Sequence, residues 1–480
     1  MNLKNYEKAG LIVLIIILIS ITFLTKYNGS TDVGDYADTA KFFADKYSAD
    51  LRSSHSLLYG LVHSPFVSFF NNFIIFKVTS IICLLLIMYS VYILSRKNKK
   101  ALWLAVLSPI IWYMGPWINP IQLCSLLFLW AYYFIKKYRE NEKIKYLLLS
   151  GILLGLSWAF WDAILFFALI FLFSFFYDKK LLHLIYFLMA LFIGLLPKLI
   201  MDQLAFGFAF SGIIRYFFGI IASTFFKGIY LDRPGLEILP KLITFLFLPI
   251  FSWKLLSKIY WRNNRSLFIF TLLSLLLLLE NSQIRYCLLL APIFILELSP
   301  LISKKQFKIG LILSSLLIIF LSFPYIIQIN YSTNAQEFGS LVKNMGNINF
   351  YEDNSRILEE DINSIAEDFP NQTFIVGNLQ DDYQRLADVY WGDKIKEFVS
   401  IEDYNLAMKN QTIIFQKTMA FRPIINERRQ IFISGGIGRN EKDRTNFASI
   451  DYAIGLGKPV VLENFVFIKK YNNLYLSRKY

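Results

Sequence analysis

Between Thr31 and Asp45 the chain sets Asp32, Asp35, Asp38 and Asp45 among small and aromatic residues, a few positions beyond its first strongly apolar block. A carboxylate held against a membrane surface loses part of its hydration. That loss favours the protonated form and suits the group to take a proton from a hydroxyl. Asp35 and Asp38 are therefore candidate general bases, with Tyr36 between them as a candidate contact to an acceptor. A plainer account has Asp35 or Asp38 capping a juxtamembrane helix after a turn at Gly34, and spacing alone favours it. The four aspartates also offer hard oxygen ligands that suit a divalent cation, and nothing else points to a cofactor.

A second group of polar residues lies where polarity is costly, at the ends of apolar blocks: Lys77, Trp158, Asp162, Lys198, Glu280 and Arg285. Lysine and arginine at such a level can hold a lipid phosphate through charge-assisted hydrogen bonds, arginine as a two-pronged fork. Lys77, Lys198 and Arg285 are the candidates for that role, while Trp158, Asp162 and Glu280 are candidates for an acceptor or sugar pocket. The competing accounts are snorkelling of Lys77 and Lys198 to the interface and a salt bridge between Arg285 and Glu280. Histidine is confined to His55, His63 and His183, which argues against a histidine metal site. The sequence has no nucleophile elbow, Walker loop or HExxH run, so soluble hydrolase, nucleotidase and zinc-protease readings have no support. Gly435-Gly436-Ile437-Gly438 lacks the spacing and following helix of a phosphate loop.

The elements that must position these groups follow from hydropathy. Of 480 residues 56% are hydrophobic, and they come in blocks close to the ~20 residues a helix needs to cross a bilayer. The spans read as 10 to 26, 73 to 95, 101 to 115, 118 to 136, 145 to 159, 161 to 177, 181 to 197, 238 to 257, 266 to 280, 285 to 301 and 308 to 327. Basic clusters such as Arg96/Lys97/Lys99/Lys100, Lys136/Lys137/Arg139 and Lys304/Lys305/Lys308 sit at alternate block ends, the positive-inside pattern. The net charge of +14 is thereby assigned to the cytoplasmic membrane surface, not to nucleic acid. The first block has a basic flank but no small-residue cleavage site, so it is expected to stay as the first helix. Cys83, Cys124 and Cys287 read as small core residues.

This scheme places the N-terminus in the cytoplasm, with outer loops at 27 to 72 and 201 to 237. It predicts a polytopic α-helical membrane domain of about 11 transmembrane helices over residues 1 to 331 and a soluble, extracytoplasmic α/β domain over 332 to 480. In the latter, Thr373 to Gly377, Thr412 to Gln416, Gln430 to Ser434 and Lys458 to Glu463 read as strands, and Arg356 to Asp368 and Asp381 to Tyr390 as helices.

The order of features resembles the GT-C superfamily of polyprenyl-phosphate-sugar-dependent glycosyltransferases, in the branch of the protein mannosyltransferases and lipid A aminoarabinose transferases. The matching stretches are Gly34-Asp35-Tyr36 with Thr39-Ala40 and Phe42, then Ser108-Pro109 and Asn119-Pro120, Gly151 with Gly155, Gly194 with Pro197, and Arg285-Tyr286 followed by Pro292. Relatives often carry paired acidic residues where this loop has Asp35-Tyr36, and an arginine where this chain has Trp158 to Asp162. The resemblance implies an inverting transferase in the plasma membrane. It would take a sugar from a dolichyl or undecaprenyl phosphate donor and pass it to a lipid, glycan or protein acceptor on the outer face. A secondary transporter or lipid flippase would instead show repeated halves and charges near the midplane. A non-catalytic scaffold would make the loop aspartates dispensable.

Overall fold

The structure is a computed structural model. It describes residues 4–25, 32–44, 51–52, 57–67, 74–177, 181–206, 208–214, 252–256, 261, 264–280, 284–330, 355–377, 397–408, 422–425, 431–434, 436–437, 449–472 and 474–480. The helices, in chain order, are α1 (Asn5–Leu24), α2 (Asp32–Phe43), α3 (Leu57–His63), α4 (Ile74–Leu94), α5 (Lys99–Val106), α6 (Pro109–Met114), α7 (Ile121–Asn141), α8 (Ile144–Phe160), α9 (Ile164–Phe176), α10 (Leu181–Phe206), α11 (Arg265–Glu280), α12 (Cys287–Leu298), α13 (Lys304–Asn330), α14 (Ser355–Asp368) and α15 (Ile401–Met408). The strands are β1 (Leu51–Arg52), β2 (Thr373–Gly377), β3 (Glu397–Ser400), β4 (Arg422–Ile425), β5 (Ile431–Ser434), β6 (Gly436–Ile437), β7 (Tyr452–Leu456), β8 (Phe465–Lys470) and β9 (Leu474–Lys479). The chain divides into two compact units: Met1–Thr25, Phe76–Met201 and Tyr216–Phe350 form the first, and Lys26–Ile75, Asp202–Arg215 and Tyr351–Tyr480 the second.

The first unit is a bundle of apolar helices. Among the described residues α1, α4 and α10 are long and apolar enough to cross a membrane, while α8, α9, α11 and α12 are shorter apolar helices. In α1, Leu18, Ile21 and Thr22 are buried, whereas Ile12, Val13, Ile16 and Ile17 stay exposed, as a lipid-facing side requires. The span expected over 101 to 115 is two helices, because Pro109 lacks an N–H and starts α6 afresh. The span expected over 238 to 257 lies outside the described residues except for a 3₁₀ turn at Ser252–Leu256. The proposed boundary between 331 and 332 also lies outside them.

Polar contacts tie the helices together. Ser157 Oγ donates to the Cys124 carbonyl at 3.0 Å and Cys124 Sγ to the Ser157 carbonyl at 3.3 Å, joining α7 to α8. Ser125 Oγ donates to the Leu288 carbonyl at 2.6 Å, joining α7 to α12. Near the basic block ends, Lys136 pairs with Glu297 at 2.6 Å and Lys99 with Glu7 at 2.8 Å.

The second unit holds the α2–α3 pair and a five-stranded sheet of order β3-β2-β7-β9-β8. Strand β2 runs parallel to β3 and β7, and β9 is antiparallel to β7 and β8. Ile375, Tyr404, Ile450, Ala453 and Val460 form its core. The strand expected over Lys458 to Glu463 is not one: Gly457 turns the chain at φ +71°, Pro459 cannot donate, and Val461 is 91% exposed. Pairing falls instead on β7 and β8, on either side. The strand expected at Thr412 to Gln416 and the helix at Asp381 to Tyr390 lie outside the described residues.

The glycine run expected to be no phosphate loop has a structural use. Gly436 and Ile437 pair antiparallel with Arg52 and Leu51, so β6 joins the loop that follows α2.

Candidate functional site

In the first unit the site is built at the break between α8 and α9. Helix α8 ends at Phe160, and Trp161 leaves it with extended backbone (φ −157°, ψ 120°). A compact turn then starts α9: Ile164 N–H donates to the Trp161 carbonyl at 3.1 Å and Leu165 N–H to the Asp162 carbonyl at 3.0 Å. Trp161 stacks on Tyr286, centroids 5.1 Å apart and planes at 14°. The Arg285 guanidinium lies 5.7 Å from the Trp161 ring centre and 5.9 Å from that of Tyr286. This is cation–π range, and it orients the guanidinium plane against the two rings. Arg285 and Tyr286 sit on a 3₁₀ turn, Ile284–Tyr286, that feeds the wholly buried α12.

Beside Trp161 in sequence, Asp162 pairs with Lys198, Nζ to Oδ1 3.3 Å, the side chains 2% and 1% exposed. Backbone contact sets this pair. A Cβ on Gly155 would stand 2.1 Å from the Leu191 carbonyl, and one on Gly194 would stand 2.2 Å from the Ile152 carbonyl. Helices α8 and α10 therefore cross backbone to backbone, as small residues permit in a membrane. Lys198 follows Gly194 by four residues, about one turn, which brings it toward the α8 end where Asp162 lies. Trp158, in the last turn of α8, keeps its indole Nε1 buried with no hydrogen-bond partner among the described residues.

Lys77 has a different setting. Its ammonium donates to the Thr22 carbonyl at 2.9 Å and the Thr25 carbonyl at 3.3 Å. These belong to the last turn of α1, whose carbonyls lack helical partners, so the cation caps a helix C-terminus. Nearby order comes from Gln122, whose Nε2 donates to the carbonyls of Met114 (3.1 Å) and Trp117 (2.9 Å).

In the second unit the acidic loop forms α2. Val33, Tyr36, Ala37 and Ala40 are all buried, the one-face spacing of an amphipathic helix. Asp35 and Asp38 belong to α2; their side chains, like that of Glu280, lie outside the described residues. Tyr36 is 1% exposed and meets Tyr59 edge to face at 5.2 Å, so it is a packing residue of the α2–α3 pair. Gly60 allows that pairing, since a Cβ there would meet the Thr39 side chain at 2.5 Å. His63 Nδ1–H donates to the Tyr59 carbonyl at 2.7 Å.

Of the residues expected from sequence, the structure brings Arg285, Asp162 and Lys198 into one chain of contacts through Trp161. Trp161 was not foreseen; its signal is a tryptophan next to an aspartate at a break between apolar blocks. Among the described residues no group of three or more His, Cys, Asp or Glu side chains is placed to hold a metal ion.

No family model and no curated protein matches the sequence. The structure is nonetheless similar to the crystal structure of ArnT from Cupriavidus metallidurans bound to undecaprenyl phosphate, with a TM-score of 0.60 and 10% identity over 98% of this chain and 97% of that one. The crystal structure of ArnT from Cupriavidus metallidurans in the apo state gives 0.58 at 10% identity over 98% of each. The chain thus shares the fold of those ArnT structures, with several apolar helices and a small sheet domain toward the C-terminus.

Proposed function

We propose that this protein is an inverting glycosyltransferase that moves a sugar from a polyprenyl phosphate to an acceptor hydroxyl at the outer face of the membrane. The observation that carries the reading is the Arg285 fork, held by Trp161 and Tyr286 in a GT-C fold whose solved neighbour binds undecaprenyl phosphate. In the proposed reaction an aspartate of α2, Asp35 or else Asp38, takes the acceptor proton. The acceptor oxygen bonds to the anomeric carbon from the face opposite the phosphate, and the bond from that carbon to the phosphate oxygen breaks. Its electron pair leaves on the polyprenyl phosphate, where Arg285 and Lys198 meet the charge. Stabilising developing charge is where such a site gains most. A lipid phosphate arrives already activated, so no soluble nucleotide site is required. The acceptor, whether lipid, glycan or protein, would be oriented by the second unit.

The test is to incubate purified protein with a panel of polyprenyl-phosphate sugars and measure released polyprenyl phosphate, with and without EDTA to read any need for a divalent cation. Asp35→Asn is expected to lower turnover by ~10²–10⁴ with donor affinity little changed, and Arg285→Ala to weaken both. Asp38→Asn should be milder. A dead Asp38→Asn beside an active Asp35→Asn moves the base to Asp38, and full activity in both variants ends the transferase reading of this loop.

A further inference from the structure

We propose that Asn119, Gln122 and Trp158 form a sugar subsite beside Arg285, one that holds a neutral, hydroxyl-bearing ring of the donor lipid. This rests on the reading of Arg285 as a ligand of the donor phosphate. Asn119 and Gln122 flank the start of α7, each is 1% exposed, and backbone groups fix both amides. The Ile121 N–H donates to Asn119 Oδ1 at 3.0 Å, which leaves Nδ2 as the other end of that amide. Gln122 Nε2 donates to the carbonyls of Met114 and Trp117, which leaves Oε1. Both remaining atoms are buried with no hydrogen-bond partner among the described residues, as is Trp158 Nε1. Turning either amide over does not help. Asn119 would then set an N–H against the Ile121 N–H, and Gln122 would set its oxygen against two carbonyl oxygens.

Contacts of the first unit bring these atoms to the elements that meet at Arg285. The mutual hydrogen bonds of Cys124 and Ser157 hold the first turn of α7 against the last turn of α8, where Trp158 is the next residue. Ser125 donates to the carbonyl of Leu288, two residues past Tyr286. Met114, which accepts from Gln122, ends α6, and α6 packs on the Ile284–Tyr286 turn that carries Arg285. Trp161, three residues after Trp158, stacks on Tyr286.

Buried polar atoms are ordinarily satisfied. Two donors and one acceptor on uncharged side chains suit an occupant that both gives and accepts hydrogen bonds, as hydroxyl groups do. A phosphate dianion offers acceptors alone and finds no match in Gln122 Oε1. The division of labour is therefore phosphate to Arg285 and ring hydroxyls to the two amides and the indole N–H.

The experiment measures binding to full-length protein in detergent. The ligands are undecaprenol, undecaprenyl phosphate, and undecaprenyl phosphate bearing glucose, mannose, galactose or arabinose. At least one sugar-bearing lipid should bind wild type about tenfold more tightly than undecaprenyl phosphate, as one or two net hydrogen bonds allow. Asn119→Ser keeps an oxygen to accept from the Ile121 N–H and removes the amide donor; Trp158→Phe removes the indole N–H. Each should cut the sugar gain by ~3–10-fold and leave the affinity for undecaprenyl phosphate unchanged. Should Asn119→Ser fail to fold, Trp158→Phe carries the same expectation. A merely structural role would lower the melting temperature and weaken the sugar-bearing and sugar-free lipids alike, and that result overturns the subsite. So does a wild type that gains nothing from any of the four sugars, or a sugar gain that both variants retain, while phosphate is still preferred to alcohol. A wild type that binds undecaprenol and undecaprenyl phosphate equally overturns the proposed function, and the subsite with it.

Discussion

His63 ends α3 at 2% exposure, and burial pushes its imidazole down to about 4, against a smaller opposing effect of its bond to the Tyr59 carbonyl. The folded value lies below the ordinary 6.5, so the unfolded segment takes up the proton first. Stability from the neutral ring is present above about pH 6.5 and is lost as pH falls toward 4, at up to ~1.4 kcal/mol per unit. Hydrogen exchange over residues 32 to 63, corrected for intrinsic rates, should therefore quicken between pH 6.5 and 5 in wild type and stay flat in His63→Leu. A flat wild type would show that the ring keeps its partners when charged. Other residues show where sequence reading stops. Lys77 is conspicuous as a charge in an apolar run, but its partners are carbonyls of α1, which residue identity does not mark. Lys198 and Asp162 are each conspicuous; their pairing depends on a helix crossing far along the chain.

That crossing belongs to the scale of elements. Gly155 and Gly194 bring the two Cα atoms so close that a Cβ on either would stand 3.0 Å from the other's Cα. Gly155→Ala must separate α8 from α10, at a cost of about 1–3 kcal/mol for overpacking, and should displace Lys198 from Asp162. A lowered melting temperature together with weakened undecaprenyl phosphate binding is expected. Gly10→Ala is the control, because its added methyl meets only Trp103 at an ordinary 3.7 Å; equal losses in the two variants would refute the crossing as the source. Hydropathy located α1, α4, α7 and α8 within a few residues because a span needs a long apolar run. Hydropathy also placed the break between α8 and α9, with Asp162 at the turn, but could not show that Trp161 there stacks on Tyr286, far along the chain. In the sheet domain it placed β2 but put a strand over Pro459, since a short apolar run does not reveal which side of a turn will pair.

At the scale of the molecule, sidedness is the claim on which the proposed chemistry depends. Cys83, Cys124 and Cys287 are all buried, so single introduced cysteines should label over a quiet background. With an impermeant maleimide on intact cells, Ser400→Cys should react and Lys305→Cys should not; the reverse pattern would put the sheet domain in the cytoplasm and defeat the outer-face reading. Composition made the membrane class legible. It could not show that the second unit gathers the loop after α1 with the sheet domain, because that grouping needs pairing between distant parts of the chain. Strands β1 and β6 meet across about 385 residues, Leu51 with Ile437. At ~5–20 residues per second of synthesis, the partner of β1 is made tens of seconds after β1 itself. The acidic loop must wait without its ladder until β6 has been made. A nascent chain stopped before β6 would then carry the aspartates without that support, and any competence that needs the ladder would come only after residue Ile437 is made.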